Sequence, residues 1–254
     1  AYGFLQEIFD DPELIEVVSG AAMKSEPDPG KLPLYTFAQT TGSYIAGAWR
    51  LRGGGQQIAE TLARDIAAMG GDVITGPRVR SIEPRAGSAV AIHTDTGERI
   101  EGRTFISDID PGTTVGLLAE SGAVRATYRR RMSNLEPTYG IFTVNIKLKH
   151  DALTYVNSNL HIHTTRSVWD EASLRQGVGT SYVYANCYVP ENGSYSRAID
   201  LLTPMHWEEV SRWQDTSVGR RGEEYNEMKQ RKAEECIRIA DTHIPGLRDA
   251  IDQY

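Results

Sequence analysis

The stretch that follows Gly53-Gly54-Gly55 limits the possible folds most. Ile58, Leu62 and Ile66 recur every four residues, and Ala59, Ala63 and Met69 widen the same stripe. This spacing predicts an amphipathic helix that ends at Gly70-Gly71, where glycine tolerates the left-handed conformation of a helix C-cap. Asp72-Val73-Ile74-Thr75 then reads as a short buried strand. Helix, double glycine and strand make half of a βαβ unit.

The flanking segments have a different character. Asp10-Asp11 offer capping oxygens, Pro12 suits a first helical position, and Leu14, Ile15, Val17 and Val18 are the candidates for burial, with Gly20 as a stop. Residues 24–34, KSEPDPGKLPL, hold three prolines and read as a loop. After the expected βαβ piece, residues 78–82 start a strand, and 89–94 alternate up to the turn Asp95-Thr96-Gly97-Glu98, with Ile100 on the return. Thr104-Phe105-Ile106-Ser107 reads as a further strand, and Asp110-Pro111 as the cap and start of a helix running to Leu118. From Ile141 to Leu148 the apolar set Phe142, Val144, Ile146 and Leu148 alternates with polar positions, the pattern of a half-buried antiparallel strand. Residues 160–164, 181–189 and 199–203 are further strand candidates. A last helix is expected over 223–244, with Ala233, Cys236, Ile237, Ala240 and Ile244 on one face and Glu227–Arg231 and Glu234–Arg238 as i,i+4 pairs.

Composition narrows the function. The 254 residues carry 27 basic and 34 acidic side chains, and the longest basic run is Arg129-Arg130-Arg131, so nucleic acid is not expected as a partner. Two cysteines, Cys187 and Cys236, have neither disulfide-scaffold nor zinc spacing, which points to a reducing, cytoplasmic compartment. No apolar run reaches the roughly 18 residues that a membrane-spanning helix needs, leaving peripheral membrane contact open. The chain opens at Ala1 and closes at Tyr254 in the manner of a piece cut from something longer.

RLRGGGQQIAETLARDIAAMGGDVITGPRVRSI, the alternating hairpin and RTFISDIDPGTTVGLL occur in an order that resembles the carotenoid desaturase, carotenoid isomerase and retinol saturase branch of the flavin-dependent, amine-oxidase-like superfamily. Asp108 stands where that family usually has Asn. Thr203-Pro204-Met205-His206-Trp207, Tyr225, Lys229 and Ile244-Pro245-Gly246-Leu247 look similar to the same family. The likeness spans roughly residues 10–250. The family's Gly-x-Gly-x-x-Gly turn, which holds the cofactor pyrophosphate on a helix N-terminus, has no counterpart here, nor has its closing Gly-Asp segment.

The resemblance implies an α+β chain: a partial doubly wound FAD-binding domain at 41–118, and a substrate domain with a mostly antiparallel or mixed sheet flanked by helices, formed by 1–40 and 119–254. It implies the central portion of an FAD-dependent oxidoreductase that moves a hydride between a hydrophobic polyene or isoprenoid and flavin, with weak or no FAD binding by this chain alone. Carried over by position, Val79 meets the adenine through its backbone, and Ser107 and Asp108 lie on the return strand beneath the cofactor. Gly53 and Gly54 are the remaining cofactor candidates. Each also has an ordinary reading: Val79 as core, Ser107 and Asp108 as strand-end caps, the glycines as a turn. No catalytic residue stands out. His161 and His163, two apart on an expected strand, share a face but lack a third metal ligand, and so fit a surface or substrate cavity instead. The four tryptophans and twelve tyrosines suit the walls of an apolar cavity as well as a core. The rival reading is a non-enzymatic binding module for an apolar ligand or a protein partner, its flavoprotein likeness only ancestral.

Overall fold

A computed structural model describes residues 1–118, 122–135, 138–170, 179–190 and 192–254. The fold is α+β, with two antiparallel sheets flanked by helices. It divides into two units: Ala1–Gln57 together with Thr138–Tyr254, and Ile58–Pro137.

The first unit is built on a five-stranded sheet. β4 (Gly140–Leu148), β5 (Asn159–His163), β6 (Tyr182–Cys187), β7 (Ala198–Met205) and β8 (Ile251–Gln253) lie in the order β5-β6-β7-β4-β8. The alternation expected for 141–148 holds: Val144, Ile146 and Leu148 point to one face, joined there by Ile162, Val183, Ala185, Ile199 and Leu201 from neighbouring strands. A long helix covers that face. This is α8 (Glu223–Asp241), which follows the single-turn α7 (Trp207–Val210) and whose Ala233, Cys236, Ile237 and Ala240 complete the core with Ile244 and Leu247 beyond its end. Ile237 is 1% exposed, and burying a side chain of that size stabilises by about 1.5–3 kcal/mol. Both cysteines are buried. Glu234 turns from the expected Arg238 to Arg248 (3.1 Å) and the Tyr254 hydroxyl, so a tertiary pair replaces the helical one.

The N-terminal segments form a second cluster. α1 (Tyr2–Ile8), α2 (Pro12–Ser19), a 3₁₀ turn (Ala22–Ser25) and α3 (Leu34–Ile45) bring Leu5, Ile15, Met23 and Phe37 onto Val168, Trp169 and Tyr182. Asp11 caps α2 by accepting from the Glu13 amide (2.9 Å), as its position before Pro12 predicts. Of the four apolar α2 residues only Ile15 is fully buried, and Val17 remains 76% exposed. Glu16 fastens the cluster by accepting from the Ser167 hydroxyl (2.8 Å) and the Val168 amide (2.6 Å), while the Trp169 indole donates to Ser19 (2.8 Å). The proline-rich loop gives way to α3 at Leu34, a helix without the strong stripe that would mark it in sequence.

The second unit contains a three-stranded meander of β1 (Val79–Arg85), β2 (Ser88–Thr94) and β3 (Arg99–Glu101). Pro84 sits where the β1–β2 register shifts, the kind of irregularity at which a strand can accommodate a residue without an amide donor. Glu83 accepts from Nε and Nη2 of Arg99 on its two carboxylate oxygens (2.7 and 3.1 Å) and also meets His93, and these contacts, Arg99 foremost, draw its carboxyl down to about 2. α5 (Pro111–Gly116) begins at Asp110, which accepts from the Thr113 amide (2.6 Å) as its sequence context predicts, and α6 (Ala126–Ser133) follows.

The stripe helix forms as α4 (Gln56–Ala68) and ends before Gly70, whose φ is +83°. Its apolar face is not covered: α4 has no buried residue, and Ile58 and Leu62 are more than half exposed. The strands expected at 72–75 and 104–107 are absent, both segments being irregular. Val73, Ile74 and Ile106 are exposed. A parallel strand exists only beside a hydrogen-bonded neighbour, and among the described residues neither segment pairs with one. No described helix is long and apolar enough to cross a membrane.

Candidate functional site

The face of the five-stranded sheet opposite α8 holds a cavity of about 500 Å³, within the range of small-molecule sites. Period-two alternation builds its floor. On β5, Leu160 and Ile162 pack inward and His161 and His163 project outward, while on β6, Val183 and Ala185 go inward and Tyr182 and Tyr184 outward. Antiparallel register sets His161 opposite Tyr184 and His163 opposite Tyr182, and Tyr184 in turn opposite Leu202 of β7. Ile141, Leu202 and Pro204 extend the floor, and Met23, Tyr44 and Tyr139 wall it.

The aromatic groups are in mutual contact. The His161 ring lies edge-on to Tyr44 (6.1 Å between centroids) and to Tyr184 (5.2 Å), and its Nδ1 bonds the Tyr182 hydroxyl at 2.7 Å. His163 donates from Nε2 to the Gly20 carbonyl at 2.8 Å, which ties β5 to the end of α2. The Tyr139 hydroxyl donates to the Met23 carbonyl, and Lys24 stands over the Tyr44 ring, its ammonium 5.7 Å from the centroid. Burial governs the ionisation of this wall. It pushes the phenols of Tyr182, Tyr139 and Tyr184 above the ordinary tyrosine range and holds His161 and His163 below the usual imidazole range, so this aromatic wall is neutral, while the Lys24 ammonium also lines the cavity. The aromatic and aliphatic part of the lining suits an apolar ligand.

The residues nominated from the sequence lie elsewhere. Gly53 and Gly54 have φ of +80° and +86°, conformations that favour glycine, and with Leu51, Tyr188, Pro190, Asn192 and Arg197 they edge a second pocket of about 430 Å³. Gln57 folds back over that turn, its amide donating to the Arg52 carbonyl and to the Gly54 carbonyl (2.8 Å), and no strand feeds into it. Val79, Ser107 and Asp108 belong to the other unit: Val79 opens β1 opposite Thr94, the Ser107 hydroxyl pairs with that of Thr114 (2.7 Å), and Asp108 is exposed on an irregular segment. A dinucleotide needs converging backbone N–H groups at a strand-to-helix turn, and these five residues do not by themselves supply that cradle.

His161 and His163 do share a face, yet Nδ1 of one and Nε2 of the other are spent on Tyr182 and Gly20 rather than on a metal. None of the four tryptophans lines the main cavity: Trp169 and Trp213 are buried in packing, and Trp49 and Trp207 are exposed. The cavity is made of tyrosines instead. The signal available in sequence was the placement of Tyr182 and Tyr184 on the strand face opposite Val183 and Ala185. In comparisons with known proteins, no family model matches this chain and no curated protein matches it.

Proposed function

We propose that this chain forms the substrate-holding part of an FAD-dependent oxidoreductase that acts on a hydrophobic polyene or isoprenoid, akin to the carotenoid desaturase and retinol saturase branch it resembles. The observation that carries this reading is the cavity of about 500 Å³ walled by Tyr44, Tyr139, Tyr182 and Tyr184 and floored by Ile141, Leu202 and Pro204. The flavin would supply the hydride chemistry, as cofactors generally do for such reactions. These residues would bind the apolar ligand, orient it and keep water away from it. A second line of support is the uncovered stripe of Ile58, Leu62 and Ile66 together with the segments 72–75 and 104–107, which pair with no strand among the described residues; all are suited to packing into a larger sheet-and-helix layer.

The rival reading, a non-enzymatic module for an apolar ligand, draws on the same cavity. Two measurements separate them. A Gly-x-Gly-x-x-Gly strand-turn-helix encoded within about 150 residues upstream of Ala1 supports the oxidoreductase. Expression of that longer product should give a yellow protein that oxidises or reduces an isoprenoid polyene, whereas the 254-residue chain alone should purify without stoichiometric flavin absorbance. A longer product without flavin would overturn the oxidoreductase reading.

A further inference from the structure

We infer that the cavity reads an oxygen function on its ligand, selecting an isoprenoid alcohol or carbonyl over the corresponding hydrocarbon. This rests on the proposed role of the cavity as the apolar-ligand site. Three polar atoms around it make no hydrogen bond to the protein among the described residues: Nε2 of His161 and the hydroxyls of Tyr44 and Tyr184. They belong to one contact group, since the His161 ring is 6.1 Å from that of Tyr44 and 5.2 Å from that of Tyr184. Of the other polar groups of the wall, Tyr182 bonds His161 Nδ1, Tyr139 bonds the Met23 carbonyl, and the Lys24 ammonium stands over the Tyr44 ring.

The Tyr182 contact fixes what His161 offers. When Tyr182 donates to Nδ1, the neutral ring carries its proton on Nε2 and presents a donor; when Nδ1 donates to Tyr182, Nε2 is an acceptor. An alcohol satisfies either form, and a carbonyl satisfies the first. Two tyrosine hydroxyls can donate or accept to match. A hydrocarbon would cover these atoms and leave them unpaired, and such loss is what makes polar sites reject ligands lacking the matching group.

The test is equilibrium dialysis of the 254-residue chain against labelled farnesol and labelled farnesene, repeated with His161→Phe and Tyr184→Phe, each variant first checked for native circular dichroism and melting temperature. Farnesol is expected to bind about tenfold more tightly than farnesene, with the preference falling to about twofold or less in both variants. Equal binding of the two ligands by the native chain, or a preference that survives both substitutions, would overturn the inference and leave the apolar-cavity reading intact. Binding of neither ligand would overturn both.

Discussion

The exposed stripe of α4 permits a quantitative test. α4 has 13 residues, none buried, and isolated helices of about that length are marginal in water. Its amides should therefore exchange with solvent through local opening that costs no more than about 2 kcal/mol, whereas amides of β7 and α8 should approach the global unfolding free energy. Leu62→Ala sharpens the contrast. Leu62 is 58% exposed, so less than half of the roughly 1.5–3 kcal/mol for full burial is at stake, a loss of about 1 kcal/mol at most, with a few tenths returned by alanine's helix propensity. Leu201 is 0% exposed between the sheet and α8, and Leu201→Ala should cost about 2–5 kcal/mol. Hydrogen exchange followed by mass spectrometry reads both units in one experiment, which tryptophan fluorescence does not, because all four tryptophans lie outside 58–137. Protection of α4 equal to that of β7, or a Leu62→Ala cost matching that of Leu201→Ala, would show the stripe to be packed and would refute the reasoning.

Further expectations follow from other contacts. Glu16→Ala removes two charge-assisted hydrogen bonds, to Ser167 and Val168, and should cost about 2 kcal/mol in urea unfolding monitored by Trp169 emission; a change under 0.5 kcal/mol would contradict that anchoring role. Gly246→Ala places a side chain at φ +81° and should cost about 1–2 kcal/mol, readable as a lower melting temperature. His161 and His163 are held below the ordinary imidazole range by burial, so below about pH 6.5 the unfolded chain takes up protons that the folded chain resists. Their contribution is thus constant above that pH and declines as the pH falls toward the folded values. Melting curves from pH 7.5 to 5 should fall less steeply for a His161→Phe, His163→Phe double variant than for the native chain, and parallel curves would contradict this.

What could be read in the sequence depended on whether a local pattern had its partner within the chain. β4 and α8 were legible because Val144 and Ile146 on one, and Cys236 and Ile237 on the other, supply each other's burial, so pattern and packing agree. The caps at Asp11 and Asp110 were legible because a side-chain oxygen bonding an amide two or three residues on is a local event. The strands at 72–75 and 104–107 were misjudged for the converse reason: their composition is strand-like, but a strand is a relation between segments. α3 escaped notice because only Phe37 is buried along it. The cavity was half visible. His161 and His163 on one face followed from alternation, but their meeting with Tyr44 from α3 depends on how distant helices settle on the sheet, which no spacing reveals.

The split construction of the first unit has a consequence for its biosynthesis. Leu5, Ile15 and Phe37 leave the ribosome before Trp169 and Tyr182, against which they pack and the nearest of which follows Phe37 by 132 residues. At roughly 5–20 residues per second that is a wait of about 7–26 s. For that interval the nascent segment presents sticky side chains with nowhere to settle. Slowing translation downstream of Gln57 should therefore lower the yield of correctly assembled protein.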